Sequence, residues 1–451
     1  MCGDSLAPIP PERVDDAKKL LSSINSMLAN LNITWNTFEE YLKKMEKVRC
    51  PLNLVFFVGY NNIRLAGGAG FEDRLPTGDE LESMKEYLAE AMEAGAFGMS
   101  TGLIYAPQVF VQTEELIELT KVLAKYNGLY FSHIRGEGKT LIEAVKEFIK
   151  IVEKSGCLGG QISHHKVSGK TYWGASKESL RLIEEANLRG INISFDQYPY
   201  TRSMTFLNTF LPPWVHEGGT EKILERLHNT KDRERIKKET IGDTEGREKF
   251  SDEFGFDFVY ISTVNTDKWK DIEGKSISEI TKIKGKADDW DTVFEILIDE
   301  EGGGMITKET MCEEDIRRIM TNQYQMVGTD GIGIPAITSF GKFHPRLFGT
   351  YPRVLGKYVR EEKVLTLEDA IRKMTSFPAQ RLGLRDRGLL REGVWADIVI
   401  FDPKTVIDKA TYENPHQFPE GILHVIVNGI IVVENNKQNR KYPGKVLRRP
   451  I

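Results

Sequence analysis

Apolar positions along the middle of the chain repeat one unit: a short apolar run, a polar loop, an amphipathic stripe, a glycine, then the next run. The run at 53–59 (NLVFFVG) reads as a strand, and Thr77 with Glu80 forms the capping box of the helix that follows. Leu81, Met84, Leu88 and Ala91 share one face at helical spacing, and Gly95 supplies the left-handed residue that ends such a helix. The unit recurs as a strand at 96–100, a helix over 113–126 and a stop at Gly128. A strand at 129–133, a second capping box from Thr140 to Glu143 and a stop at Gly156 come next. The series closes with a strand at 161–164, a helix over 176–188 ending at Gly190, and a strand at 191–197. Strict alternation of this kind implies a parallel sheet with helical crossovers.

The rhythm breaks over residues 220–320, a charge-rich stretch with helical pieces at 233–239 and 291–299 and a strand at 258–262. An insertion after a barrel strand is expected there. Residues 324–330 (YQMVGTD) restore a barrel-type strand, and 366–375 gives a helix. Beyond Gly383 the texture turns to β, with runs at 396–402 and 424–433. The expected organisation is a barrel over 1–382 and the C-terminal portion of a small β-sandwich over 383–451.

Composition narrows the function classes. With 451 residues, 40% of them apolar, the chain can build a large core and a satellite domain. A net charge of −5 with both signs mixed leaves no basic stripe, so nucleic acid is not an expected partner. The first twenty residues lack a signal-type apolar core and no apolar run reaches spanning length, so no membrane partner and a cytoplasmic location are expected. Cys2, Cys50, Cys157 and Cys312 are scattered without paired spacing.

Three predicted strands finish on residue types that bind metal or move protons: Ser132-His133, Ser163-His164 and Thr329-Asp330. In a parallel βα barrel the carboxyl ends of the strands converge on one face. A divalent metal needs ligands from separate rigid elements at ~2 Å, which such ends provide. Alternation along a strand puts His164 and Lys166 on one face and turns His165 away. A single strand-end histidine is as well explained by structure, and Asp330 precedes a glycine and could cap a turn. Together the three describe a hydrolytic (β/α) barrel. His216, His228, His416 and His424 read as loop or surface residues.

Several strings resemble the N-acyl-D-amino-acid deacylases (D-aminoacylases) of the metal-dependent amidohydrolase superfamily. These are FSHIRGE (131–137), ISHHK (162–166), DQYPYT (196–201), GTDG (328–331) and HPRLFGTYPRVLG (344–356), with TSFPA (375–379) and GVWADIV (393–399) in the later segments. The resemblance spans nearly the whole chain. It implies an α/β fold of the (β/α)8, TIM-like amidohydrolase type and hydrolysis of N-acyl-D-amino acids to a D-amino acid and a carboxylate. The opening MCGDSLAP (1–8) aligns Cys2 with a ligand cysteine of that family. One zinc per chain on Cys2, His133 and His164 is thereby implied, with Asp330 as general base and then acid. The resemblance likewise implies Arg346 as the clamp for the substrate carboxylate, helped by Lys166 and Tyr198, with Tyr105 lining the substrate site.

The chain also departs from that pattern. Tyr60 stands where relatives have histidine, and Arg202 and Met204 enter a segment that is small and polar elsewhere; an added cation there would favour acidic substrates. No His-x-His occurs, and local signals yield six barrel strands with the first two absent. The expectation is an N-terminally truncated barrel whose exposed edges pair with a separate N-terminal segment or with another copy. Two other readings stay open: a cyclic-amide amidohydrolase of the dihydropyrimidinase or dihydroorotase kind, and an inactive or split barrel fragment. Against the former, GMSTG (98–102) ends without the lysine such enzymes carry.

Overall fold

The computed structural model describes residues 5–24, 31–241, 255–333 and 341–449. A short strand, β1 (Leu54–Val55), precedes the first strand of the main sheet, β2 (Val58–Gly59). There follow β3 (Gly98–Gly102), β4 (Leu129–His133), β5 (Gly159–Ile162) and β6 (Ile193–Gln197), with long helices between them. Beyond β6 come β7 (Arg202–Phe206), β8 (Val259–Thr263) and β9 (Met305–Glu309), and then β10 (Gln325–Val327). Among the described residues β2 to β6 and β10 form one six-stranded sheet in the order β10-β6-β5-β4-β3-β2, parallel throughout.

The helices form where the pattern predicts, though not every predicted cap is made. Gly78–Glu93 starts at a complete capping box in which the Thr77 side chain accepts from the Glu80 N–H and the Glu80 carboxylate accepts from the Thr77 N–H. Met84, Leu88 and Ala91 are buried by it, and Gly95 follows at φ +102°. Leu141–Ser155 ends on Gly156 in the left-handed conformation, but its expected capping box does not form. Thr140 makes no cap hydrogen bond, because its hydroxyl is turned over Gly136, where any Cβ would collide with it. The strand read at 161–164 lies two residues earlier. Gly159 and Gly160 belong to it because their missing Cβ atoms let Phe148, Val152, Asn192 and Arg381 press against the strand.

Among the described residues the interior holds three large apolar clusters and a small fourth one of Tyr198, Tyr200 and Met311. The largest joins the parallel sheet to its helices, with Tyr130 stacked on Phe148 at 5.4 Å. A second runs from Leu207 to Ile306 under an antiparallel sheet of order β7-β9-β8. The segment read as an insertion thus packs with residues just ahead of it. The third surrounds β10 and includes Val327, Val354, Leu355 and Tyr358. At the C-terminal end β11 (Ile398–Phe401), β12 (Ile422–Val427), β13 (Ile430–Glu434) and β14 (Lys437–Gln438) make an antiparallel sheet, while β15 (Val446–Leu447) pairs with β1. Asn428 and Gly429 both take positive φ in the β12–β13 turn, which only such residues tolerate cheaply.

The edge strands do not expose the apolar rows expected of them. Val58, Gly59 and Gln325 to Val327 are all buried. On the β2 side the chain near Ser5 supplies the cover: the Gly59 N–H donates to Ser5 Oγ at 3.0 Å and the Ser5 N–H to Asn62 Oδ1 at 2.9 Å. Among the described residues no helix is long and apolar enough to cross a membrane.

Candidate active site

The carboxyl ends of β4, β5, β6 and β10 open into one cleft, roofed by residues of the antiparallel sheet and its helices. His133 is the last residue of β4. His164 lies two residues beyond β5 at φ +39°, so the chain has already turned there. The simple alternation argument therefore rests on the wrong local geometry, although its outcome stands. His164 reaches His133, with Nε2 2.9 Å from His133 Nδ1, while His165 turns to the helix Ser176–Leu188 and places Nε2 2.9 Å from Ser179 Oγ. Burial lowers the pKa of His133 to about 3 and that of His165 to about 4, so both rings are neutral at neutral pH.

The loop after β4 brings back Glu137. Its Oε1 lies 3.1 Å from His164 Nδ1, 3.9 Å from His133 Nε2 and 2.5 Å from Lys166 Nζ. Burial works against its charge, but Lys166 and the two histidines outweigh this and hold its pKa well below the ordinary range. Asp196, on β6, accepts the His164 N–H at 2.9 Å and the Gln161 side-chain amide at 2.8 Å, which fixes the turn that carries His164. Neither acid was assigned a role from sequence. The available signal for Glu137 was its position four residues after His133 in one loop.

Asp330 follows β10 by three residues, also at positive φ, +45°. Gly328 is required just before it, since a Cβ there would press on the Asp196 carboxylate. Arg346 opens the helix Arg346–Arg353 and forms an ion pair with Asp330, with Nη2 2.8 Å from Oδ2. Withdrawal from water pushes the Asp330 pKa up, yet Arg346 and then the other nearby cationic groups bring it below the usual aspartate value. His344 positions this arginine: its Nδ1 accepts the Arg346 N–H at 3.0 Å, and its Nε2 faces the Arg202 carbonyl at 2.9 Å. The Tyr198 ring lies 4.6 Å from the Arg346 guanidinium and 5.6 Å from Lys166 Nζ. Tyr105 sets its ring 5.4 Å from His133 and its hydroxyl 3.1 Å from Thr205 Oγ1.

His133, His164, Asp330, Arg346, Tyr198, Tyr105 and Lys166 thus line one cleft, while Cys2 lies outside the described residues. Two sequence expectations change. His216 is no surface residue but lines the cleft, with its pKa lowered to about 4 by burial. Arg202 brings no added cation to the cleft: it is held between the Tyr260 and Tyr412 rings at 4.0 and 4.3 Å and bonds Glu309 at 3.0 Å. Tyr60 is fully buried in a network with Glu115 and Arg64.

The donor set fits a metal. Single ligand atoms of His133, Glu137 and His164 lie within 4.8 Å of one another. His133 Nε2 is buried without a hydrogen-bond partner and lies 3.9 Å from the Glu137 carboxylate. Two imidazoles and an anionic ligand suit zinc.

Comparison with known proteins finds relatives along nearly the whole chain. The sequence profile of the Amidohydrolase family matches residues 260–433. An N-acyl-D-glutamate deacylase of Alcaligenes xylosoxydans xylosoxydans is 34% identical over 99% of this chain and 79% of its own length. The crystal structure of N-acyl-D-glutamate deacylase from Bordetella bronchiseptica, complexed with zinc and a phosphonate mimic of the tetrahedral intermediate, superposes with a TM-score of 0.79 at 31% identity. It is matched over 99% of this chain and 81% of that one. A D-aminoacylase studied for its binuclear metal centre, with one-metal activation and second-metal attenuation, gives a TM-score of 0.77 at 31% identity and the same coverage. The chain belongs to the amidohydrolase family, with the barrel and small β domain of its D-aminoacylase members.

Proposed function

We propose that this protein hydrolyses the amide bond of N-acyl-D-amino acids, using one zinc held by Cys2, His133 and His164. One observation carries the reading: a pair of facing imidazoles, His133 and His164, and the Asp330–Arg346 pair open into the same cleft. The relatives named above act on N-acyl-D-amino acids, which supports the substrate class. When bound, zinc supplies Lewis acidity to the acyl group and to the attacking water.

The chain's own residues do the rest. Asp330 is ionised at neutral pH, because the cations around it outweigh its burial, so it can accept a proton from water at Oδ and return it to the leaving nitrogen. Arg346 is the clamp for the substrate carboxylate: its Nη2 pairs with Asp330, while Nε and Nη1, on either side of Nη2, are buried without hydrogen-bond partners. Tyr198 and Lys166 complete that wall, and Tyr105 backs His133 on the opposite side. The test is release of D-amino acid from N-acetyl-D-amino acids by the zinc-loaded protein, with the L-enantiomers as controls. Asp330→Asn should lower kcat at least ~100-fold. Equal turnover of both enantiomers, or an unaffected Asp330→Asn variant, would overturn the reading.

A further inference from the structure

We propose that the roof of the cleft reads a second carboxylate on the substrate through Lys308, an inference that deepens the functional reading above and rests on it. Arg202, the cation that the sequence suggested for this task, is held between the Tyr260 and Tyr412 rings. The structure puts a different cation at the cleft. Lys308 lies on β9, the middle strand of the antiparallel sheet, opposite Ser203 on one side and Val259 on the other. A strand laddered on both sides fixes the lysine backbone, so only the flexible stem adapts to a ligand. The side chain is half-buried and lines the cleft, with Nζ 5.9 Å from the centre of the Phe210 ring.

The distribution of charge separates the two walls of the cleft. At the strand ends the cations Lys166 and Arg346 share the lining with the carboxylates of Glu137 and Asp330. In the roof, among the described residues from β7 to β9 that line the cleft, Lys308 is the only charged side chain. The rest are neutral, among them Met204, Phe206, Asn208 and Thr220. Thr220 Oγ1 is buried without a hydrogen-bond partner, and Thr220 opens the helix Thr220–His228, whose N-cap Gly219 has no side chain to cap it. One substrate carboxylate is assigned to Arg346. A second would meet, in the roof, a cation, an unused hydroxyl and no acid to repel it. A carboxylate leaving water needs such partners, whereas a neutral amide of the same shape gains far less from an ammonium. Lys19, the remaining lysine of the lining, is exposed, and water screens its charge.

That carboxylate can come from the side chain of the D-amino acid or from the acyl group, and two matched pairs of substrates separate these sources. N-acetyl-D-glutamate against N-acetyl-D-glutamine reads the side chain. N-succinyl-D-alanine against N-succinamoyl-D-alanine reads the acyl group. In one of the pairs the zinc-loaded protein should favour the acid over its amide by about tenfold or more in kcat/KM. Lys308→Met should bring that ratio to within about threefold of unity, Lys308→Arg should keep it, and Lys308→Glu should invert it. Lys19→Met should keep it. A general loss of folded or zinc-loaded protein scales both members of a pair alike and leaves the ratio unmoved. A ratio near unity for both pairs, a preference that survives in Lys308→Met, or one that is lost in Lys19→Met would overturn the proposal. Absence of turnover of all four compounds would instead count against the functional reading. Calorimetric binding of glutarate then reads the roof by itself: the parent should bind this dicarboxylate about tenfold more tightly than Lys308→Met, and equal binding would remove Lys308 from anion recognition.

Discussion

Arg346 Nη2 and Asp330 Oδ2 are 2.8 Å apart, so the cation on one wall of the cleft is tied directly to the carboxylate that ends the β10 segment. One contact thus links the group that would orient the substrate to the group that would move its proton. Removing either member leaves the other charged and only partly solvated, which is costly where water is scarce. His344 reinforces the link by holding the Arg346 backbone from Nδ1.

Arg346→Ala should reduce kcat/KM by roughly 2–5 kcal/mol, most of it through binding of the carboxylate. The same change should move the acid limb of activity to higher pH. Asp330 is an acid whose pKa in the folded protein is lowered by Arg346 against the opposing effect of burial; without that cation the pKa rises and the base form is lost at a higher pH. A pH profile of kcat for parent and variant reads this directly. An unmoved acid limb would mean that Asp330 does not set it.

The neighbouring histidines should separate cleanly. His133→Ala and His164→Ala should lose tight zinc binding. His165→Ala should keep it while destabilising the fold by about 1–3 kcal/mol, because it leaves Ser179 without that partner. Metal analysis paired with urea unfolding distinguishes the two effects. Loss of zinc from His165→Ala would show that the turn at His164 does not divide the pair as described.

Arg202 should matter for stability and not for substrate choice. Its guanidinium is enclosed by Tyr260, Tyr412 and Glu309. Arg202→Met is expected to lower the unfolding midpoint while leaving the ratio of kcat/KM for N-acetyl-D-glutamate over N-acetyl-D-methionine unchanged. A shift of that ratio above tenfold would return Arg202 to the cleft.

Two threonines that look alike in sequence should behave differently. Thr77→Ala removes a formed cap and should cost about 1 kcal/mol. Thr140→Ala removes a hydroxyl that caps nothing and whose oxygen has no hydrogen-bond partner, so its cost should be a few tenths of a kcal/mol at most. Urea midpoints of the two variants, measured side by side, check the contrast.

The sequence alone determined the alternation of strands and helices, because the buried face of each helix and the glycine or capping box at its ends are local properties of the chain. Gly95, Gly156 and the Thr77–Glu80 box needed no tertiary context to be read. It also determined which strand ends carry His133, His164 and Asp330, since ligand-type residues at those places stand out against apolar runs. Only the tertiary structure decided what surrounds them. Glu137 reaches His164 and Lys166 through a loop whose path no periodicity specifies. The glycines of β5 belong to a strand because distant side chains fill the space they leave. Arg202 is a cation by sequence but is enclosed by two rings from β8 and from the chain beyond β11, brought together by packing across more than 200 residues. A residue's type is written locally. Its partners are set by which parts of the chain the core brings together.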